Sequence, residues 1–209
     1  GYWQFFPAEA NWGRIPVWGT GTVINEGGTG LSEGTVYYGY FPMGSYLVVK
    51  PEHVTPRGFV DGADHRAPLP QVYNQYQLAT PDNGFAEGTL DHRMVFFPLF
   101  ATGFVLDDYL KDNEYFGADT VILSSASSKT SFSLAFLLSE DRHCKVVGLT
   151  SAANRGFVES MGIYDEARFK IYLVLFLNFD RLFVFLFLLL FLSIHLEISF
   201  LVTLFVFTV

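Results

Sequence analysis

The sequence predicts an α/β protein, and three observations predict it. Residues 1–60 are short apolar runs separated by Gly and Pro, a pattern of short strands in a small barrel or sandwich. From Pro98 onward helical and strand patterns alternate as β-α-β-α, the opening of a parallel sheet with crossover helices. The apolar strand at 120–123 then runs into Ser124-Ser125-Ala126-Ser127-Ser128-Lys129-Thr130-Ser131 and a helix. Strand, tight turn and helix N-terminus together make an anion site, because backbone N–H groups and the positive end of the helix dipole converge there.

Composition limits the function classes. The 209 residues carry a net charge of −8, which argues against a non-specific nucleic-acid binder. The single cysteine, Cys144, excludes an internal disulfide framework and a structural zinc site built from several cysteines. It fits a reducing compartment, so a cytoplasmic location is expected. The chain starts at Gly1 with no signal peptide, which reads as a missing true N-terminus. Composition also shifts sharply along the chain. Residues 1–168 are rich in Gly, Pro, Tyr and Asp; from Phe169 the chain is mostly Phe, Leu, Val and Ile, with no Gly, Pro or Ala between Ile171 and Val209.

In the first part, strands are expected at 15–18 after the turn-prone Asn11-Trp12-Gly13, at 20–24 up to Gly27-Gly28-Thr29-Gly30, at 36–40, and at 46–49, where Pro51 ends the run. Residues 61–93 are polar and turn-rich and read as a long ordered connection with one helical turn around 72–76. Pro98 is expected to open a helix, since its missing N–H is not needed in the first turn. Phe100, Phe104 and Leu110 recur on one face of it, and Gly117 stops it. A strand at 120–123, a helix at 128–138, a strand at 145–149 and a helix at 152–161 stopped by Gly162 complete the pattern.

Several blocks resemble a known family in their order. Gly34-Thr35-Val36-Tyr37 is similar to the barrel motif of the medium-chain dehydrogenase/reductases. The closer resemblance is to an uncharacterised family at their fringe, a domain of unknown function. It is carried by Tyr2-Trp3-Gln4-Phe5-Phe6-Pro7, Ile15-Pro16-Val17-Trp18-Gly19, Gly39-Tyr40-Phe41-Pro42-Met43, His65-Arg66-Ala67-Pro68-Leu69-Pro70, Val72-Tyr73-Asn74-Gln75-Tyr76, the serine turn and Gly148-Leu149-Thr150-Ser151. It covers residues 1 to about 166. The family usually has Arg where this chain has Phe97. The resemblance implies a partial GroES-like β-barrel in 1–97, the first half of a Rossmann domain with its linking helix in 98–168, and a zinc-free, quinone-oxidoreductase-like activity on a small carbonyl or quinone-type molecule.

The chemistry is expected at the serine turn. A dinucleotide fold wants glycine at three places, and this chain has Ser125, Ser128 and Ser131 there. Serine at a positive φ costs about 1 kcal/mol or more, so the turn must differ from the usual one or be strained. Lys129 offsets this by pairing with a phosphate. Ser125, Ser127, Ser128, Lys129 and Thr130 are therefore the candidate cofactor-phosphate residues. The competing reading is a serine-capped helix with a solvated Lys129 in a domain without a cofactor. A P-loop would end in Lys129-Thr130, but its glycines are replaced by Leu123 and Ser128. At the end of the second strand stand Thr150, Ser151 and, a turn later, Asn154 and Arg155. The absence of an acid there, with Arg155 following, favours a 2′-phosphate and hence NADP over NAD; alternatively Arg155 is an exposed helix residue.

No metal is expected, because His53, His65, His92 and His143 form no close ligand pair and the barrel has no cysteine. Catalytic residues remain unassigned. His65, within Asp64-His65-Arg66, is the one acid/base candidate, and Tyr2, Trp3, Tyr40, Tyr73 and Tyr76 are candidates to line an apolar pocket or to be core. No Gly-x-Ser-x-Gly elbow supports a hydrolase. The expected partner is a small-molecule substrate, with a homodimer as an open possibility and no nucleic acid.

Residues 169–209 form an apolar tail. Leu182 to Ile194 is short for a membrane span, which needs about 20 apolar residues, and it is flanked by Asn178, Asp180 and Arg181 before and His195 and Glu197 after. The preceding sheet needs further strands, which a membrane segment does not supply. The tail is therefore expected to be non-native, from a read-through intron, a frameshift or a truncated gene model; with a genuine tail the protein would be membrane-bound or aggregate. The alternatives for the whole chain are a cofactor-free relative and a membrane-anchored protein.

Overall fold

The computed structural model of the chain describes residues 2–9, 12–168 and the backbone of 169 and 204–207. Asn11 and most of the apolar tail, 170–203 and 208–209, lie outside the described residues. Contacts divide the chain into two compact units, Gly1–Phe97 and Pro98–Val209.

The first unit is a five-stranded antiparallel sheet of β1 (Pro16–Thr22), β2 (Val36–Pro42), β3 (Pro51–Thr55), β4 (Gly58–Asp61) and β5 (Gln75–Leu78), in the order β1-β2-β5-β4-β3. Alternate side chains of a strand point to opposite faces, and β2 buries both sets. Tyr37 packs with Leu31, Phe59 and Tyr76 on one face. Tyr38 and Tyr40 pack on the other with Trp18, and Tyr40 also meets Phe5, Phe6 and Tyr73. Gly39 is required between them: a Cβ there would sit 2.6 Å from the Tyr76 ring.

A buried ion pair ties the strands together. Arg66 Nη1 donates to Asp61 Oδ2 at 2.6 Å and to the Tyr76 hydroxyl at 2.9 Å, and Nη2 donates to the Tyr73 carbonyl at 2.9 Å. The other Asp61 oxygen accepts the N–H groups of Lys50 (3.0 Å) and Ala63 (3.1 Å). Asp61 and Arg66 are only 3% and 1% exposed. Burial on this scale is tolerated because the charges are paired and further hydrogen-bonded.

Several expected elements differ. The two runs at 15–18 and 20–24 form one strand, because the β1–β2 ladder continues through Gly19, opposite Gly39. The run at 46–49 is not a strand, and Pro51 starts β3 instead. That strand lies at the sheet edge, where a missing N–H costs no ladder bond. The expected connection at 61–93 contains β5, a central strand, entered from a 3-10 turn at Gln71–Asn74. The helix expected from Pro98 starts earlier, as α1 (Leu90–Asp112). The Arg93 N–H already donates to the Thr89 carbonyl at 2.9 Å, so helical bonding precedes the proline. After α1 the chain passes through left-handed Glu114, Tyr115 and Phe116 to Gly117.

In the second unit β6 (Thr120–Ser124), β7 (Lys145–Thr150) and β8 (Glu166–Phe169) are parallel neighbours. They are joined by α2 (Lys129–Asp141) and by α3 (Arg155–Ser160). Leu106 and Leu110 of α1 and Leu134, Ala135 and Leu138 of α2 pack on Val121, Leu123 and Val146. Ile122, Val147 and Leu149 form a second cluster. β9 (Leu204–Phe207) pairs antiparallel with β6, giving the order β8-β7-β6-β9. The apolar tail is expected from 169; Phe169 ends β8, and 204–207 supply a strand. Main-chain pairing does not depend on side-chain type, so a Phe/Leu run can fill a sheet position. No helix among the described residues is long and apolar enough to cross a membrane.

Candidate functional site

The serine turn joins the C-terminal end of β6 to the first turn of α2. Ser125 has φ 52°, the left-handed conformation in which glycine carries no penalty, so serine is strained at this place in the turn. The turn is closed by the Ser128 N–H, which donates to the Ser125 carbonyl at 2.7 Å. It is pinned to the sheet at Ala126, which is fully buried. The Ala126 N–H donates to the Leu149 carbonyl at 3.0 Å, and the Tyr164 hydroxyl donates to the Ala126 carbonyl at 2.9 Å. Gly148 permits this approach: a Cβ there would stand 2.9 Å from both the Ala126 Cβ and the Tyr164 ring.

Ser128 caps α2, its hydroxyl accepting the Ser131 N–H at 3.3 Å and donating to the Ser131 hydroxyl at 3.1 Å. Ser131 is fully buried and passes its own proton to the Ser124 carbonyl at 2.8 Å. These hydroxyls are therefore occupied within the protein. The first-turn N–H groups of Lys129 and Thr130 have no acceptor among the described residues, as expected at a helix N-terminus. The Lys129 side chain is exposed and makes no ion pair among the described residues. Thr130 is buried to 9% exposure.

The second strand brings its end to the same turn. The Asn154 amide donates to the Ser127 hydroxyl at 3.1 Å, linking the segment after β7 to the serine turn. Thr150 ends β7 at 4% exposure, while Ser151 is exposed and precedes a 3-10 turn at Ala152–Asn154. Arg155 is exposed, and its Nε donates to Glu159 Oε1 at 2.7 Å, one helical turn on. The expected residues thus fall into two groups: Ser125, Ser127, Ser128, Lys129 and Thr130 on the turn, and Thr150, Ser151 and Arg155 after β7, bridged by Asn154. The sequence reading missed Tyr164; a tyrosine two residues after Gly162 carries no spacing signal that would show its reach back to Ala126.

The remaining candidates belong to the first unit. Tyr2, Tyr40 and Tyr73 pack together, with Tyr40 and Tyr73 centroids 4.7 Å apart. Tyr76 instead stacks on Phe59 at 5.0 Å and donates its hydroxyl to the Tyr40 carbonyl at 2.7 Å. Desolvation pushes its hydroxyl up to about 12. Trp3 is 56% exposed. His65 donates from Nε2 to the Phe5 carbonyl at 3.1 Å, which holds the N-terminal segment against the 3-10 turn at Asp64–Arg66. Phe97 packs on the Arg93 guanidinium at 4.6 Å and edge-on to Tyr38. Among the described residues no three His, Cys, Asp or Glu side chains are grouped to hold a metal ion.

Fold and site define a mixed α/β protein with a strand–turn–helix junction at the C-terminal end of parallel strands. The chain belongs to the family described as Protein of unknown function (DUF2855), which matches residues 1–169. Comparison with curated proteins gives no match, and comparison with solved structures gives none.

Proposed function

We propose that the protein is an NADP-dependent, zinc-free oxidoreductase-like protein acting on a small carbonyl or quinone-type molecule. One observation carries the reading. At the C-terminal end of a parallel sheet, the Lys129 and Thr130 N–H groups open the first turn of α2 without an internal acceptor among the described residues, Lys129 is exposed, and Asn154 and Ser127 bridge the turn to the end of the next strand. Such a crevice suits a pyrophosphate on the turn and a ribose at the neighbouring strand. The parallel order β8-β7-β6 supports a Rossmann-like reading of the second unit, and the antiparallel sheet supports a GroES-like reading of the first. Together these support the likeness to medium-chain dehydrogenase/reductases.

The donor set fits the group. Lys129 and Thr130 would hold phosphate, and Thr150, Ser151 and Arg155 would face the ribose and its 2′-phosphate, with Arg155 exchanging Glu159 for the phosphate. The nicotinamide, when bound, supplies the hydride chemistry, and the chain's residues bind and orient it. The cofactor-free reading is favoured by the internal use of the Ser128 and Ser131 hydroxyls.

The experiment is a titration of the full chain with NADPH and NADH, followed by nucleotide fluorescence, on wild type, Lys129→Ala and Arg155→Ala. Loss of one charge-assisted phosphate contact costs about 1.5–3 kcal/mol, roughly 10- to 150-fold in affinity. K129A should weaken both nucleotides, and R155A should weaken NADPH alone. No binding at millimolar nucleotide removes the enzyme reading and leaves the cofactor-free one.

A further inference from the structure

The serine turn lies at the C-terminal end of the second unit's parallel strands; a cavity lies at their N-terminal end, and the proposed cofactor site does not use it. Its volume is about 360 Å³, at the small end of the usual range for ligand pockets. Four charged residues of its lining are grouped around the start of β7. The Asp119 carbonyl accepts the Lys145 N–H at 2.8 Å, an Asp165 carboxylate oxygen accepts the Val146 N–H at 2.7 Å, and Arg142 stands three residues before Lys145. Leu138, Cys144, Ile163 and Tyr164 supply the apolar part of the lining. The charges are unequally committed. Lys145 Nζ is 3.1 Å from Glu166 Oε2, so its charge is already paired. The Arg142 side chain makes no ion pair or hydrogen bond among the described residues. Asp119 gives one carboxylate oxygen to the Thr120 hydroxyl at 2.9 Å, and Asp165 one to Val146; the second oxygen of each has no hydrogen bond among the described residues. Arg142 is also held in the left-handed conformation, φ 49°, at the C-terminal end of α2, where glycine is the usual residue. The chain thus keeps an unpaired guanidinium at a strained position beside the cavity.

We propose that this cavity binds a free amino acid with an apolar side chain, its carboxylate on Arg142 and its ammonium on Asp119 and Asp165. A bare anion would meet the two aspartates, and a bare cation would meet Arg142; a ligand carrying both charges matches both signs. The planar guanidinium suits a carboxylate because it donates two parallel hydrogen bonds to it. An ammonium has three donors, enough to reach the open oxygen of each aspartate. Leu138, Cys144, Ile163 and Tyr164 give the ligand's side chain an apolar surface to cover.

The full chain is titrated by calorimetry with L-leucine, with leucinamide, which lacks the carboxylate, and with 4-methylpentanoate, which lacks the ammonium. Arg142→Gly removes the guanidinium and relieves the left-handed strain, so it does not put the fold at risk. Asp119→Asn and Asp165→Asn each keep an oxygen to accept the Thr120 and Val146 bonds. Wild type is expected to bind leucine saturably, and leucinamide and 4-methylpentanoate each about tenfold or more weakly. R142G should weaken leucine by about tenfold or more and leave leucinamide unchanged. The double variant D119N/D165N should weaken leucine and leave 4-methylpentanoate unchanged. Thermal melting of each variant reads the fold separately. Three results overturn the site: no saturable leucine binding at millimolar concentration, an R142G loss shared equally by leucine and leucinamide, or undiminished leucine binding by R142G. If that last result comes with a lower melting temperature, Arg142 serves the C-terminal end of α2 alone.

Discussion

Replacing Asp61 by Asn should be the most damaging conservative change in the first unit. The native carboxylate accepts three hydrogen bonds: Arg66 at 2.6 Å, the Lys50 N–H at 3.0 Å and the Ala63 N–H at 3.1 Å. With Asp61 and Arg66 3% and 1% exposed, D61N leaves the guanidinium buried without its counter-charge. Removing one member of a buried pair costs about 3–5 kcal/mol. For a urea slope of about 1–3 kcal/mol/M that moves the midpoint down by about 2 M. The assay is urea unfolding by tryptophan fluorescence, which reports this unit alone because the three tryptophans, Trp3, Trp12 and Trp18, all lie within it. The double variant D61N/R66M removes both charges and should recover a large part of the loss, since a charge-free core is tolerated far better than an unpaired charge. A D61N loss below about 1 kcal/mol, or a double variant no more stable than D61N, would refute the argument that the pair is buried and interdependent.

Gly148→Ala should destabilise the second unit by about 1–3 kcal/mol through overpacking, because the added methyl meets Ala126 and Tyr164 at 2.9 Å; helix circular dichroism during thermal melting measures it. Cys144 should label slowly. Burial first, then the charges of Asp165 and Asp107, push its thiol up to about 11, so at pH 8 iodoacetamide should modify the native chain at least about tenfold more slowly than the unfolded chain. Glu166 tests pH dependence. Hydrogen bonds from Arg168, then from Lys145, lower its carboxyl from 4.5 to about 2. The folded value is depressed, so the stabilisation is present above about pH 4.5 and is lost as pH falls towards about 2. E166Q should remove that part of the acid slope, a small effect because these side chains are 35–51% exposed and screened by solvent.

What was legible in the sequence followed from how strongly each segment advertises itself. β6, α2, β7 and α3 were readable because their apolar runs are bounded by Gly, Ser and charged residues at the right spacing, and helix and strand periods differ clearly. β5 was hidden because Gln75-Tyr76-Gln77-Leu78 is four residues long and sits between turns rich in Pro and Asn. Its central place comes from Tyr76, whose hydroxyl and ring bind Arg66, Tyr40 and Phe59, all distant in sequence. The start of α1 was missed for a local reason. Pro98 is the strongest helix-start signal in the region, but helical main-chain bonding already begins with the Arg93 N–H on the Thr89 carbonyl. In the site, the turn and its capping serine were readable because the chemistry is sequential. The bridge from Asn154 to Ser127 and the hold of Tyr164 on Ala126 join residues 27 and 38 positions apart, which no local pattern encodes.

Ser125 separates two reasons for the absence of glycine in the turn. The position is left-handed, with φ 52°, so serine carries a strain of about 1–2 kcal/mol. Glycine would relieve it but lose about 0.4–1 kcal/mol to the greater freedom of the unfolded chain. The Ser125 side chain makes no hydrogen bond among the described residues, so Ser125→Gly removes no internal contact; its carbonyl, which closes the turn by accepting the Ser128 N–H, is retained. Stability should therefore stay level or rise by up to about 1 kcal/mol, measured by thermal melting of the second unit. A loss of more than about 1 kcal/mol would show that the turn is not left-handed at Ser125. NADPH affinity read on the same variant tells what the serine is for. A hydroxyl that donates to phosphate makes S125G bind about fivefold more weakly at equal or greater stability. Serine retained at a strained position for its hydroxyl must show that opposition between stability and binding, whereas unchanged binding assigns the position to backbone geometry alone and leaves Lys129 and Thr130 as the phosphate donors.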